Sequence, residues 1–142
     1  MTGKVAGVVL AAWGDAERAV HVLLDVAAET SSFFRVTAGR HGLTPIEAQV
    51  VYVLAQTPST LAVLAERAGV HKGNLSAVLD RLERDGLVLR ESIPGDRRAR
   101  LAVLTEVGER TTAAFLTELY GNVPLLQRLG PDQLKTLIEL LA

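Results

Sequence analysis

Apolar residues recur along this chain at two different spacings, and the change from one to the other falls near its centre. From Asp15 to about Arg40, Ala16, Ala19, Val20, Leu23, Val26, Ala27 and Phe34 keep helical spacing with no Pro or Gly among them. Such a rod is roughly 39 Å long. Gly39 and Gly42 stop it. Thr44-Pro45 then reads as an N-cap followed by Pro at the first helical position, and Glu47 completes a capping box. This second helix runs to about Gln56 and is ended by Thr57-Pro58-Ser59.

The stretch from Thr60 to Leu82 is the most informative. Leu61 to Ala68 reads as a short amphipathic helix closed by Gly69. Val70-His71-Lys72-Gly73-Asn74 then turns into a helix with Leu75, Val78, Leu79 and Leu82 on one face. Ala65 is small where two crossing helices approach. The pattern is that of a helix-turn-helix with a small core of Leu64, Ala68, Val70, Leu75 and Val78. After Asp85-Gly86 the period becomes β-like: Leu87 to Glu91, a turn at Pro94-Gly95-Asp96, then Arg98 to Leu104. A hairpin attached to a helix-turn-helix is a wing. Thr105 caps a further helix with Glu106 and Glu109 in its first turns. It reaches about Leu129 with a break near Gly121 to Pro124, and Asp132 to Leu141 forms a last amphipathic helix.

The predicted fold is mainly α with a small β-hairpin wing (α+β): a winged helix-turn-helix lobe at 43–104, flanked by helical dimerisation segments at 1–42 and 105–142.

Composition sharpens this. Of 142 residues 49% are hydrophobic but only 4% aromatic, which suits long helical seams. A mean hydropathy of +0.26 points to apolar surface hidden in a subunit interface. The seam residues predicted are Val20, Leu23, Ala27 and Phe34 at one end, and Leu134, Leu137, Ile138 and Leu141 at the other. The chain has no cysteine, which excludes disulfides and thiolate metal sites. Val5 to Trp13 is apolar after Lys4, but nine residues are too few to span a bilayer and no cleavage site follows. A cytoplasmic protein without membrane association is expected. Net charge is −1, yet between His71 and Arg100 seven basic residues face five acidic ones. The positive field is local.

The residues that then stand out carry a resemblance. Leu82-Glu83-Arg84-Asp85-Gly86-Leu87-Val88, followed by Pro94-Gly95-Asp96-Arg97-Arg98 and by Leu104-Thr105 and Gly108, is similar to the MarR-type regulators along essentially the whole chain. The resemblance implies a homodimer that docks two helices into successive major grooves of a palindromic operator in double-stranded DNA, more often as a repressor than an activator. It implies that Arg98 enters the minor groove, oriented by Asp96. Many members of that family change DNA affinity when a small molecule binds between their lobes. The candidates here for an effector pocket are Phe33, Tyr52 and Phe115, with Tyr120 nearby.

The residues themselves fit that chemistry. Arginines on a hairpin tip suit the narrow, negative minor groove, and Asp96 and Arg98, two apart in an extended segment, can pair. A solvated hairpin tip is the bland alternative. On the recognition helix, Lys72, Gly73, Asn74, Ser76 and Ala77 face base edges: Asn pairs with adenine, Lys with guanine or phosphate, Ser with either, and Ala meets a thymine methyl. Gly73 permits close approach of the DNA backbone. Arg81 and Arg84 lie where phosphates run, though Arg84 could equally pair with Asp80 at i, i+4. The predicted DNA-binding set is thus Lys72, Gly73, Asn74, Ser76, Ala77 and Arg81 with Arg97 and Arg98 of the wing. His71 is a phosphate contact or a cap. His41 sits at a helix C-terminus. His21, Asp25 and Glu17 share a helix face but read as a polar stripe, so no metal and no cofactor is expected. No catalytic constellation is present, and an enzyme is not expected. A winged-helix module that docks on protein is the alternative; it calls for an apolar recognition surface, and this one is polar and basic.

Overall fold

The computed structural model describes residues 4–5, 8–9 and 14–142. Helix α1 (Gly14–Arg40) and helix α2 (Pro45–Leu54) follow the predicted pattern. Thr44 and Glu47 form the capping box: the Glu47 N–H donates to Thr44 Oγ1 at 3.2 Å and the Thr44 N–H to Glu47 Oε2 at 3.0 Å. Helix α2 stops at Leu54, short of Gln56, because the chain turns into a strand foreshadowed by no periodicity. Ser59–Thr60 is that strand.

Helices α3 (Leu61–Ala68) and α4 (Lys72–Arg84) form the helix-turn-helix. Gly69, at φ +66°, ends α3 in the left-handed conformation; its N–H reaches Glu66 O at 3.3 Å and the Val70 N–H reaches Ala65 O at 3.0 Å. Leu64, Leu75, Leu79 and Leu82 are essentially inaccessible, with Ala65 and Val78 close behind. Ala68 and Val70, predicted in this core, are only half-buried because they lie at the turn. Gly73 is a poor residue for a first helical turn, costing about 1 kcal/mol against Ala. Burying one leucine side chain returns about 2 kcal/mol, and α4 buries three. The apolar face wins.

Strands β4 (Val88–Ile93) and β5 (Asp96–Leu104) make the predicted hairpin. Ser59–Thr60, numbered β3, adds antiparallel to β5 through Ser59↔Ala102 and Thr60↔Leu101, so the sheet order is β3-β5-β4. Helix α5 (Glu106–Asn122) leaves this sheet under tight constraint. Thr105 Oγ1 accepts from the Gly108 N–H at 2.9 Å and donates to Gly86 O, and the Thr105 N–H donates to Leu87 O at 3.0 Å. A Cβ on Gly108 would lie 1.9 Å from the Leu87 carbonyl oxygen. The Leu-Thr-x-x-Gly run thus fastens α5 onto the foot of the wing.

The break near Pro124 is real: α6 (Pro124–Gln127) and α7 (Pro131–Leu141) follow it. Lys4–Val5 (β1) and Val8–Val9 (β2) pair as antiparallel strands within the apolar run that starts at Val5. The rest of that run, 6–7 and 10–13, lies outside the described residues. No helix among the described residues is long and apolar enough to cross a membrane.

The chain forms two compact units, Phe34–Asn122 and Met1–Phe33 with Val123–Ala142. The first holds every buried hydrophobic residue among those described. The core joins Ala48, Val50, Val51 and Leu54 of α2 to Phe115 and Leu119 of α5, with Phe34 edge-on to Phe115 at 5.3 Å. No described residue of the second unit is buried. That unit exposes Val20 (51%), Leu23 (55%), Ile138 (56%) and Leu141 (68%), together with Ala27, while Leu134 and Leu137 are half-buried.

Candidate nucleic-acid interface

Lys72, Gly73, Asn74, Ser76 and Ala77 are all exposed at the start of α4, as the face opposite Leu75, Val78 and Leu79 must be. His71 is the N-cap: its Nδ1 accepts from the Gly73 N–H at 3.2 Å. A Cβ on Gly73 would stand 3.3 Å from that nitrogen, so the missing side chain makes room for the capping ring. Further along, Arg81 Nε lies 3.5 Å from Glu47 Oε1, the buried capping-box carboxylate of α2. Arg81 is therefore half committed to holding α4 on α2, which its sequence position did not reveal. The Asp80–Arg84 pair does not form. Asp80 goes to Arg90 instead, and Arg84 is exposed with no carboxylate partner among the described residues.

The wing tip is built by Pro94 and by Gly95 at φ +85°. Cross-strand partners run in register from Val88↔Leu104 to Ser92↔Arg100, then jump to Ile93↔Asp96. Arg97, Arg98 and Ala99 thus have no partner across the ladder, a bulge at the tip. Asp96 Oδ1 accepts from the Arg98 N–H at 3.0 Å and from the Ala99 N–H at 3.3 Å. The side-chain pair expected between Asp96 and Arg98 is absent among the described residues. The bulge leaves two N–H groups without strand partners, and the carboxylate satisfies these instead. Asp96 shapes the loop through its backbone, and the exposed Arg98 side chain stays free.

Arg90, which sequence reasoning passed over as a strand residue, joins the two halves. Its Nε and Nη2 donate to Glu83 Oε2 at 3.1 and 2.6 Å, and Nη2 also donates to Asp80 Oδ1. The signal was present only as two carboxylates at i, i+3 on a helix followed by an arginine in the next strand.

Of the aromatic residues suggested for an effector pocket, Tyr52, Phe115 and Tyr120 lie in the Phe34–Asn122 unit. Phe115 is fully buried against Phe34 and His41. The Tyr120 hydroxyl pKa is raised, by burial first and by the neighbouring Tyr52 hydroxyl second. Phe33 is half-buried and belongs to the other unit. A cleft of about 470 Å³ is lined by Leu54 of α2 and Pro58 beyond it, Val103 and Leu104 of β5, and Glu109 and Thr112 of α5. His41 Nε2 bonds Glu118 Oε2 at 2.6 Å, and Arg40 takes the other oxygen. These contacts, His41 foremost, hold the Glu118 carboxyl below its ordinary pKa. Among the described residues no group of three or more His, Asp or Glu could hold a metal ion.

The sequence model of the MarR family matches residues 41–99, from the turn before α2 through the wing tip. The HTH-type transcriptional regulator YkoM of Bacillus subtilis is 34% identical over 107 residues, 71% of this chain and 67% of that protein. The chain belongs to the MarR family. The homoprotocatechuate degradative operon repressor of Escherichia coli is 39% identical to this MarR-family chain over 88 residues; the match spans 61% of the chain and 60% of that repressor. Among solved structures, the transcriptional repressor CouR bound to a 23-mer DNA duplex superposes with a TM-score of 0.73 at 27% identity, covering 91% of this chain and 94% of CouR.

Proposed function

We propose that this chain is a sequence-specific DNA-binding transcriptional repressor that acts as a homodimer on a palindromic operator. The observation that carries it is the conjunction on one unit of a capped helix exposing Lys72, Asn74, Ser76 and Ala77 with a bulged hairpin tip presenting Arg98. Base edges are read by the first and groove width by the second. The 27%-identical repressor CouR, seen on a DNA duplex, supports the same use of the fold. Dimerisation is supported by a helical unit that buries none of its described residues while exposing Val20, Leu23, Ile138 and Leu141. Residues 1–42 and 105–142 then contribute to dimerisation, and 43–104 to DNA binding. Release by a small molecule belongs to this reading; the cleft beside Thr112 and β5 is a place where a ligand would touch both α5 and the wing's second strand.

Selection of bound fragments from random DNA tests the function. The expected product is a palindrome with half-sites roughly 34 Å apart. On that operator, Arg98→Ala weakens binding by about tenfold or more at fixed salt while the dimer persists. No enrichment of any sequence by the wild-type protein sinks the reading.

A further inference from the structure

Arg90 stands on β4, at the junction of wing and recognition helix, and its guanidinium is shared between two carboxylates of α4. We propose that Arg90 is a positioning residue for DNA binding, which ties the wing to α4 and keeps Asp80 and Glu83 from opposing the phosphates. The inference rests on the DNA-binding reading above and adds a residue to it.

Asp80 and Glu83 are three apart, so they project from one side of α4. They are partly exposed, at 55% and 34% of their side-chain surface. Both sit on the helix whose N-terminal half carries the candidate base-reading residues. Phosphates approaching that helix come within the roughly 10 Å over which charges act at 0.1 M salt, so two bare carboxylates there repel DNA. The Arg90 side chain, only 22% exposed, meets both with one fork, which a lysine's point charge cannot reproduce.

A second consequence concerns Arg84. Without Arg90, Asp80 would find Arg84 at i+4 and take it as partner. With Arg90 in place, Arg84 points to solvent unpaired. Arg81 is already turned toward Glu47. The clasp therefore decides whether the C-terminal half of α4 offers a free cation to the DNA backbone. It also restrains the angle between α4 and β4, and hence where the bulged tip with Arg98 can reach.

The experiment is a mutant cycle on the full chain, read by fluorescence anisotropy on the selected operator. Arg90→Gln is made in the wild-type background and in an Asp80→Asn/Glu83→Gln background, with thermal melts confirming that each variant is folded. A clasp predicts a loss of about tenfold or more in the first background and less than about threefold in the second, because the partners are then neutral. If Arg90→Gln does not fold, Arg90→Lys carries the same comparison, keeping the charge and losing the fork. Equal losses in both backgrounds mean that Arg90 touches DNA directly and overturn the proposal. So does the absence of a loss in the wild-type background. Failure of the wild-type protein itself to bind any selected duplex overturns the DNA-binding reading, and is distinguishable because it appears before any variant is made.

Discussion

Single atoms decide much at the junction of wing and α5. Gly108 has no room for a methyl group: its Cβ would overlap the Leu87 carbonyl oxygen, a backbone atom that cannot rotate away. Gly108→Ala must displace either the first turn of α5 or the foot of β4. A loss of at least about 2 kcal/mol in denaturant unfolding is expected. Wild-type stability for that variant would show that Leu87 and α5 are not locked as described. Gly73 is a milder instance, since a Cβ there presses only on the capping ring of His71. The absent Cβ at Gly73 thus favours the cap, a local reason that stands beside the close approach of DNA suggested by the sequence. Asp96 teaches the same lesson: its partners are backbone N–H groups, and the arginine beside it is left free.

At the scale of elements, charged contacts fasten the helices of the Phe34–Asn122 unit. Arg81 joins α4 to α2, Arg90 joins β4 to α4, and Glu118 of α5 takes both Arg40 and His41 at the end of α1. Glu118 has a depressed pKa in the folded protein, so its contribution to stability is complete above the unfolded value of about 4.5. It is lost as pH falls from there through the lower folded value. Glu118→Gln should therefore flatten the acid limb of the stability curve below about pH 4.5, measured as melting temperature against pH. An acid limb identical to wild type would show that the His41 and Arg40 contacts do not bias the carboxyl. The short strand β3 also belongs to this scale. It is two residues long, too short for a period of two to be seen, and it exists because β5 offers an open edge.

For the whole molecule the question is what the helical unit packs against. None of its described residues is fully buried, and α1 and α7 expose Val20, Leu23, Leu24, Ile138 and Leu141. A second copy supplies the missing surface in the proposed homodimer. Ile138→Glu places a charge on that face and should shift the protein to monomers by light scattering. Operator affinity should fall by about a hundredfold, because two half-sites are no longer linked. A variant that stays dimeric would move the seam off α7.

The sequence by itself determined the helices, the turn at Gly69, the capping box at Thr44 and Glu47, and the hairpin. Each is set by local chemistry: apolar spacing, a left-handed glycine, a cap within three residues. It also determined which residues face outward at the start of α4, because Leu75, Val78, Leu79 and Leu82 leave the other side no choice. Tertiary structure alone decided where the charged side chains go. Arg81 could have pointed to solvent, Asp80 could have paired with Arg84, and Asp96 could have met Arg98. Long side chains choose partners by what folding brings within about 4 Å, and the partners here come from other elements or from a bulge that no local pattern announces.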